Sequence, residues 1–235
     1  GKLQAAFDLM GIPYTGTGYL SSAMAMDKGV TKAMFQMRGV STPGGKAMKK
    51  KDRQDSLAAL GMEFPVVVKT CCGGSSIGVY IVDNQEDYVK ALDEAFEYEN
   101  EVVIEEFIKG VEYTVAVVDG TAYPVVQIVP KEGFYDYENK YKPGAVQETC
   151  PAPISEELTK RLQEAAVDGY HALEMESYAR LDFIVTEDEK IYCLEANTLP
   201  GMTPTSLIPQ EAAVLGMDYP TLCEELIRVS QKKYN

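Results

Sequence analysis

The sequence predicts an α+β fold in which strands, helices and hairpins alternate along the whole chain. Apolar runs with strand composition, such as residues 64–69 and 101–130, are separated by segments with apolar residues at helical spacing, such as residues 85–99. No internal repeat or low-complexity segment interrupts this alternation. We predict a small lobe of sheet and helix, followed by a larger lobe with a mixed sheet, with a ligand cleft between them.

The composition excludes several classes of function. The 235 residues are 46% apolar, enough for a buried core, and the net charge of −14 argues against nucleic acid or an anionic membrane as a partner. No apolar run reaches the length of a membrane span, and we predict no signal peptide. Five cysteines without a CxxC pair predict reduced thiols in a cytosol. The only histidine, His171, is predicted on a helix surface, which argues against histidine-based triads and zinc sites.

The first quarter of the chain is predicted to be helical and then irregular. Residues 1–16 indicate a short amphipathic helix and a turn. Residues 17–40 indicate one amphipathic helix with Ser21 or Ser22 as its cap. Its methionines are expected in the core, on a face of four residues at helical spacing: Ala23, Met26, Val30 and Met34. Residues 41–56, which contain the charge run KKKDR, are predicted to be a solvated connector.

A Gly/Ser-rich loop follows the first predicted strand. It lies between a strand at residues 64–69 and a second strand at residues 77–82. Its glycines allow the backbone to approach a ligand closely, and its N–H groups with Ser75 and Ser76 could cradle a phosphate. A plain hairpin loop explains the same residues. The loop is not a P-loop, because a strand rather than a helix follows it.

The middle and the end of the chain supply the remaining elements. A helix at residues 85–99 is predicted to be capped by Asn84, and a helix at residues 156–175 by Ser155. Residues 101–130 supply three strands, with turns at a Lys-Gly and an Asp-Gly pair. An amphipathic helix that ends in cations closes the chain.

Acidic and aromatic residues in this region are candidate ligand contacts. Glu105 and Glu106 end one predicted strand, and Glu112 begins the next. They are either edge charges of buried strands or acceptors for an adenine amino group and ribose hydroxyls. Residues 133–153 form a long aromatic loop, which in a compact domain is commonly a lid or a binding segment.

The candidate site is the predicted hairpin that reads YARLDFIV, TEDEK and IYCLEAN. Alternation places Arg180 and Asp182 on one face. A turn centred near Asp188 puts Asp182 roughly opposite Glu195, with Asn197 on the same side. Three hard oxygen ligands without His or Cys suit Mg²⁺, although a polar exposed face explains the same pattern. The loop NTLPGMTPTS at the end of the second strand favours the metal site.

With these residues in place, the chain resembles the D-alanine–D-alanine ligases of the ATP-grasp superfamily. The resemblance is carried, in order, by VVVK with GGSSIGV, VVIEEFIKGVEYTVAV, GFYDYENKY, YARLDF and LEANTLPGMTPTS. GIPYTG at residues 11–16 and MDK at residues 26–28 match as well. The resemblance covers residues 1–235, and NTLPGMT and YDYENKY are specific to this family and its D-Ala–D-X relatives.

The resemblance implies an ATP-grasp fold with nucleotide between two lobes. It divides the chain into a remnant of a missing N-terminal domain at 1–16, a central lobe with the phosphate loop at 17–104, and a C-terminal lobe with lid and metal hairpin at 105–235. The family's further N-terminal domain carries a carboxylate for the first substrate and a histidine that His171 does not match. We therefore expect a truncated ligase with an incomplete first D-alanine site.

The implied activity joins two D-alanines through an acyl phosphate, giving D-alanyl-D-alanine, ADP and phosphate for peptidoglycan precursor synthesis in the cytoplasm. The implied cofactors are ATP and two Mg²⁺ ions, with Mn²⁺ as a substitute. D-alanine and ATP would be the partners, and the full-length protein would be a homodimer. One alternative is a D-Ser or D-lactate ligase, of which Tyr141 in the lid disfavours the lactate-forming kind. The other is a non-catalytic nucleotide-binding module, disfavoured by the complete metal and oxyanion set.

The resemblance also implies a role for each matched residue. Those implied to bind ATP are Lys28, Lys69, Ser75, Ser76, Glu105, Glu106, Ile108, Glu112 and Lys140. Those implied to hold metal are Asp182, Glu195 and Asn197. Those implied to be catalytic, by closing the dipeptide pocket or stabilising the oxyanion, are Ser75, Tyr141, Arg180 and Gly201. Ser206 and Leu207 would seat the carboxylate of the second substrate.

Overall fold

The computed structural model describes residues 1–74, 77–130 and 146–234, and it confirms the α+β class. The helices are α1 (Lys2–Met10), α2 (Tyr19–Met26), α3 (Lys28–Arg38), α4 (Gln85–Tyr98), α5 (Glu156–Ala172), α6 (Leu207–Val214) and α7 (Tyr219–Gln231). The strands are β1 (Gly45–Lys49), β2 (Val66–Thr70), β3 (Val79–Val82), β4 (Glu101–Glu106), β5 (Val111–Val118), β6 (Thr121–Ala122), β7 (Val126–Pro130), β8 (Val146–Thr149), β9 (Tyr178–Val185) and β10 (Ile191–Asn197).

The strands form two sheets. The first has the order β1-β4-β2-β3, and the second has the order β10-β9-β5-β7-β8, with β6 beside β5. All pairs between the described strands are antiparallel, so the prediction of a mixed sheet is wrong. The predicted strand region at residues 101–130 is shared between the sheets, because β4 belongs to the first sheet and β5 to β7 belong to the second.

The first sheet is covered on one face by α4. Asn84 begins this helix as predicted, since its side chain accepts a hydrogen bond from the Asp87 N–H. The predicted apolar stripe is buried against the sheet, in a cluster that includes Tyr88, Leu92 and Phe96. This helix and sheet therefore form a core of their own.

The second sheet is covered on both faces. The helix α5, capped by Ser155 as predicted, buries Leu158, Leu162 and Leu173 against one face. The helices α6 and α7 cover the other face, in a cluster that includes Ala116 of β5. Much of the sheet is thus buried on both faces.

The predicted single helix at residues 17–40 is wrong, because two helices meet at Asp27. Asp27 has an extended backbone, and its carboxylate accepts from the Val30 N–H, which caps α3. Ser21 and Ser22 cap nothing and are buried inside α2. Of the predicted core face, Met34 packs against the core, but Met26 is 57% exposed and Ala23 and Val30 are exposed as well. The buried residues of the two helices include Ala25, Thr31, Lys32 and Phe35.

The predicted connector at residues 41–56 contains the edge strand β1. Gly45 pairs with Glu105 so closely that a Cβ at Gly45 would lie 2.3 Å from the Ile104 carbonyl oxygen. Only Met48 of this strand is buried, so its alternation is too weak to read from the sequence. The charged residues of the strand face solvent because the strand lies at the edge of the sheet.

The helices α2 and α3 pack largely against the second sheet, although they precede the first sheet in sequence. Ala25, Phe35 and Val40 belong to the same core cluster as α5 and β9. Of the residues that the structure describes, no helix is both long and apolar enough to span a bilayer. All five cysteines are free thiols, and His171 is exposed on α5, as predicted.

Candidate active site

The predicted hairpin forms from β9 and β10, and its register places two acidic residues side by side. Asp182 pairs with Glu195, and Arg180 pairs with Asn197. The connecting turn is centred near Asp188, as predicted. The prediction that Asp182 lies opposite Glu195 is therefore confirmed.

A β-bulge in β10 is what brings this pair together. Cys193 and Ala196 both face the same core, which a regular strand does not allow for residues three positions apart. The register skips Leu194 between them. In a regular ladder Asp182 would face Leu194, and Glu195 would face the core. The bulge therefore turns the end of β10 over, so that its polar residues share a face with Asp182.

The Asp182 carboxylate is held from several directions. Arg180 donates to both oxygens, with Nε 2.9 Å from Oδ1 and Nη2 2.8 Å from Oδ2. Thr114 Oγ1 donates to Oδ1 at 2.6 Å, and Asn197 Nδ2 donates to Oδ2 at 2.9 Å. A bidentate pair of this kind fixes the plane of the guanidinium. Arg180 is consequently oriented before any ligand arrives.

Lys28 joins the hairpin to the Gly/Ser-rich loop. As the first residue of α3, it places Nζ 3.7 Å from Glu195 Oε2 and donates to the Gly73 carbonyl oxygen at 2.5 Å. Its backbone N–H donates to the Cys71 carbonyl oxygen at 2.9 Å. The loop is packed tightly here, because a Cβ at Gly73 would lie 2.0 Å from Thr70 Oγ1. The lysine side chain thus lies between the loop and the carboxylates of the hairpin.

A second charged cluster is buried on the first sheet. Glu105 Oε1 lies 2.9 Å from Lys32 Nζ, and Oε2 lies 2.6 Å from Lys69 Nζ. Burial alone would raise the pKa of Glu105, but the two lysines outweigh burial and hold it below its ordinary value. Both oxygens that we predicted to face adenine are therefore engaged by lysines. Lys32 was not predicted as a site residue, and the only signal for it is its spacing of four from Lys28 on one helix.

The remaining predicted nucleotide contacts lie where the two sheets meet. The chain passes from β4 to β5 through residues 107–110. Glu106 Oε1 accepts from the Gly44 N–H at 2.7 Å, and Ile108 and Glu112 are half-buried. These side chains line the crossing between the sheets, close in sequence to the buried Glu105.

The loop after β10 folds back over the start of α6. Ser206 is the residue before the helix, and its Oγ accepts from the Thr203 N–H at 3.0 Å. Gly201 lies against the same hydroxyl, since a Cβ there would lie 3.0 Å from it. Leu207 is buried in a small apolar cluster with Val126. The predicted substrate residues Gly201, Ser206 and Leu207 thus lie together, in the loop and at the first residue of α6.

The helix α6 also carries a buried glutamate that the sequence analysis did not identify. Glu211 Oε2 accepts from the Ala116 N–H at 2.7 Å, and Ala116 pairs with Arg180 in the sheet. Oε1 has no hydrogen-bond partner among the residues that the structure describes. Burial raises the pKa of Glu211 well above its ordinary value, although the Ala116 N–H and Arg180 oppose this change. Glu211 therefore packs behind the strand of Arg180, in surroundings that favour its protonated form.

Four predicted site residues, Ser75, Ser76, Lys140 and Tyr141, lie outside the described residues. Within the described ranges, no three His, Cys, Asp or Glu side chains are placed to hold a metal ion. The predicted metal set is of another kind, two carboxylates and an amide, and its hard oxygens suit Mg²⁺. An ion bound there would share the carboxylate of Asp182 with Arg180.

Compared with known protein families and with known proteins, the chain matches the same family in each comparison. A family profile described as D-ala D-ala ligase C-terminus matches residues 29–228. A D-alanine–D-alanine ligase of Syntrophotalea carbinolica is 44% identical over 227 residues, covering 97% of this chain and 73% of the relative. That of Desulfotalea psychrophila is 42% identical over 242 residues, covering 99% of this chain and 74% of the relative.

Solved structures agree with the sequence comparison. The ATP complex of a Bacillus anthracis D-alanine–D-alanine ligase superposes with a TM-score of 0.86 at 35% identity, covering 99% of this chain and 75% of that one. The VanG D-Ala:D-Ser ligase of Enterococcus faecalis superposes with a TM-score of 0.89 at 33% identity, covering 98% of this chain and 68% of that one. The fold is therefore shared by ligases that differ in the second amino acid.

Proposed function

The chain belongs to the D-alanine–D-alanine ligase family, and on this premise we propose that it joins two D-alanine molecules at the expense of ATP. One observation carries the proposal: Asp182 and Glu195 face each other on neighbouring strands, with Arg180 and Lys28 beside them. Such a set gathers oxygen ligands and cations where a triphosphate and a carboxylate can meet.

The nucleotide would bind between the two sheets, with its phosphates toward α3. Lys28 and Lys69 would hold the phosphates, because the Lys28 ammonium contacts the Gly73 loop and Lys69 lies near the end of β2, which leads into that loop. The adenine would lie along the crossing at residues 107–110. Support for ATP as the nucleotide comes from the similarity to the Bacillus anthracis ligase that was solved with ATP.

In the first step, a carboxylate oxygen of the first D-alanine attacks the γ-phosphorus of ATP. The new P–O bond forms as the bond to the β–γ bridging oxygen breaks, which gives an acyl phosphate and ADP. The charge spread over the phosphoryl oxygens is countered by the two lysines. A Mg²⁺ ion held by Asp182, Glu195 and Asn197 would supply further neutralisation of the phosphates when bound.

In the second step, the amine of the second D-alanine attacks the acyl carbon, and the proton that it loses passes to the departing phosphate. The carbonyl oxygen becomes an oxyanion, and the C–O bond to phosphate then breaks to release the dipeptide. Arg180 and the backbone of Gly201 would stabilise the oxyanion, since a preorganised donor is worth most where charge develops. Ser206 and Leu207 would seat the second substrate's carboxylate at the start of α6, where helix N–H groups favour an anion.

A D-Ala–D-Ser ligase is the second candidate, favoured by the likeness to VanG. The residues described at the second substrate's site, Ser206 and Leu207, contact a carboxylate common to both amino acids. They therefore do not separate the two activities. Direct competition between D-alanine and D-serine as second substrate decides between them.

The proposal is tested by phosphate release with ATP, Mg²⁺ and D-alanine, with the dipeptide measured in parallel. The assay is run on this chain and on a chain extended at its N terminus. We expect D-alanine-dependent release with one dipeptide formed per phosphate. ATP turnover without dipeptide by both chains would contradict the ligase function. Activity in the longer chain alone would place part of the first substrate's site outside these 235 residues.

A further inference from the structure

The buried cluster on the first sheet contains two lysines, Lys32 and Lys69, and of these the proposed phosphate site uses only Lys69. Lys32, Glu105 and Lys69 are 5%, 4% and 7% exposed, so the two ammonium groups and the carboxylate are almost dry. The carboxylate divides its oxygens between the lysines, Oε1 to Lys32 and Oε2 to Lys69. The three side chains carry a net charge of about +1 when all are ionised.

We propose that Lys32 is a positioning residue that keeps the charge of Lys69 available to the phosphates of ATP. It does so by engaging the second oxygen of Glu105. Without Lys32, the carboxylate would belong to Lys69 alone, and the pair would carry no net charge. This inference rests on the proposed function, in which Lys69 holds the phosphates.

The surroundings of Lys32 fix its head group rather than leave it mobile. Its Nζ also donates to the Pro43 carbonyl oxygen and lies 3.3 Å from Thr42 Oγ1. These acceptors belong to the segment that leads from α3 into β1, which pairs with the strand of Glu105. The ammonium is therefore held from two sides and presented to one oxygen of the carboxylate.

The helix α3 carries lysines that contact both sheets. Lys28 and Lys32 are four residues apart, so they lie one above the other on one helix face. Lys28 contacts Glu195 on the second sheet, and Lys32 contacts Glu105 on the first. One rigid helix thus sets the positions of cations on both sides of the proposed phosphate site.

The test compares the affinity of the protein for ATP with its affinity for adenosine, which has no phosphates, by titration calorimetry. We expect Lys32→Met to weaken ATP binding by about tenfold while adenosine binding stays unchanged. Lys46→Met is the matched control, because it removes an exposed lysine from the same sheet. It should leave both affinities unchanged. An equal loss of ATP and adenosine binding in Lys32→Met would show a purely structural role and overturn the proposal.

The double variant Lys32→Met with Glu105→Gln tests whether the net charge of the cluster, rather than the folding of the protein, determines ATP affinity. It removes the carboxylate that would otherwise neutralise Lys69, leaves the amide oxygen of the introduced glutamine as an acceptor for the Lys69 ammonium, and restores a net charge of about +1 through Lys69. ATP affinity should therefore return to within about threefold of the wild-type value, even if Lys32→Met alone unfolds. A double variant that folds and binds ATP as weakly as Lys32→Met would overturn the proposal.

Lys69→Met distinguishes a failure of this inference from a failure of the proposed function. If Lys69→Met weakens ATP binding and Lys32→Met does not, only the role of Lys32 is lost. If neither variant changes ATP affinity, the phosphate site itself has been placed wrongly, and the role of Lys32 falls with it.

Discussion

The two charged clusters of the cleft differ in how much water reaches them. Around Glu105, two lysines surround one carboxylate in a nearly dry interior. On the hairpin, the side chains of Asp182 and Glu195 are 19% and 33% exposed. A dry cluster has a fixed set of partners and sets the local field. A more exposed cluster can exchange its partners. A reaction centre must do so, because charge moves from the substrate to the phosphate during the reaction.

The largest effect should come from the hairpin cluster, through Glu195→Gln. The change is nearly isosteric but removes the charge that would face both Lys28 and a metal ion. We expect the rate of phosphoryl transfer to fall at least about 100-fold, because a metal site supplies several kcal/mol of charge stabilisation. Phosphate release at saturating ATP measures the rate, and circular dichroism controls for folding. Substantial residual activity in a folded variant would remove Glu195 from the metal site.

The next effect should come from Arg180→Lys, which keeps the charge but loses the bidentate geometry. The ammonium can still neutralise Asp182, so the first step should continue. The second step should lose about 10- to 100-fold, because one preorganised oxyanion donor is misplaced. The signature is ATP cleavage uncoupled from dipeptide formation. Equal loss of both steps would mean that Arg180 serves the phosphates instead.

The buried cluster should show a smaller effect, confined to binding. Lys69→Ala should weaken ATP binding by about tenfold or more, because it removes a phosphate cation and leaves Glu105 with Lys32 alone. Fluorescence or calorimetric titration with ATP measures it. If ATP affinity is unchanged, Lys69 is a structural partner of Glu105 and the contrast between the two clusters loses its functional meaning.

The sequence predicted the hairpin cluster better than the buried one, for a physical reason. Alternation places Arg180 beside Asp182, and a short polar turn returns the chain, so local patterns suffice for most of the hairpin. The bulge at Leu194 is different, because no local sequence pattern predicts it. It is recognised only from the packing of both Cys193 and Ala196 in the core. The predicted pairing of Asp182 with Glu195 holds because of that bulge.

Lys69 and Glu105 were predicted as nucleotide contacts, but their pairing and the part played by Lys32 were missed, because the three residues are far apart in sequence. A lysine on an amphipathic helix is normally solvated, so pattern alone places Lys32 outside the core. Its burial is accompanied by the ion pair with Glu105, a residue distant in sequence, which no local pattern reveals. The split of the helix at Asp27 was missed for a related reason, since a cap in mid-pattern competes with helical continuity.

A third carboxylate, that of Glu211, is also buried, but it differs from Glu105 in the groups that contact it. Glu211 is as deeply buried as Glu105, yet the Ala116 N–H is its one hydrogen-bond partner among the described residues. The pKa of Glu211 is raised by burial, whereas the lysines lower the pKa of Glu105 despite burial. The two residues should therefore make the free energy of unfolding depend on pH with opposite signs.

The smallest effect on activity should come from Glu211→Gln, which keeps an acceptor for the Ala116 N–H. The change appears in stability instead, measured by denaturant unfolding across pH. As the pH rises above the ordinary glutamate pKa of 4.5, the folded wild type retains a proton that the unfolded chain releases. The wild type should thus lose free energy of unfolding relative to Glu211→Gln as the pH rises, until the folded pKa is passed.

Glu105→Gln is the matched control with the opposite sign. Its lowered folded pKa means that the wild-type ion pairs stabilise the protein fully above pH 4.5. That advantage over Glu105→Gln should disappear as the pH falls below 4.5 toward the folded pKa. Wild-type and Glu211→Gln curves that run parallel above pH 4.5 would show that Glu211 ionises normally in the folded state. Burial would then not explain why the pKa values of Glu211 and Glu105 differ, and the two lysines beside Glu105 would account for the difference alone.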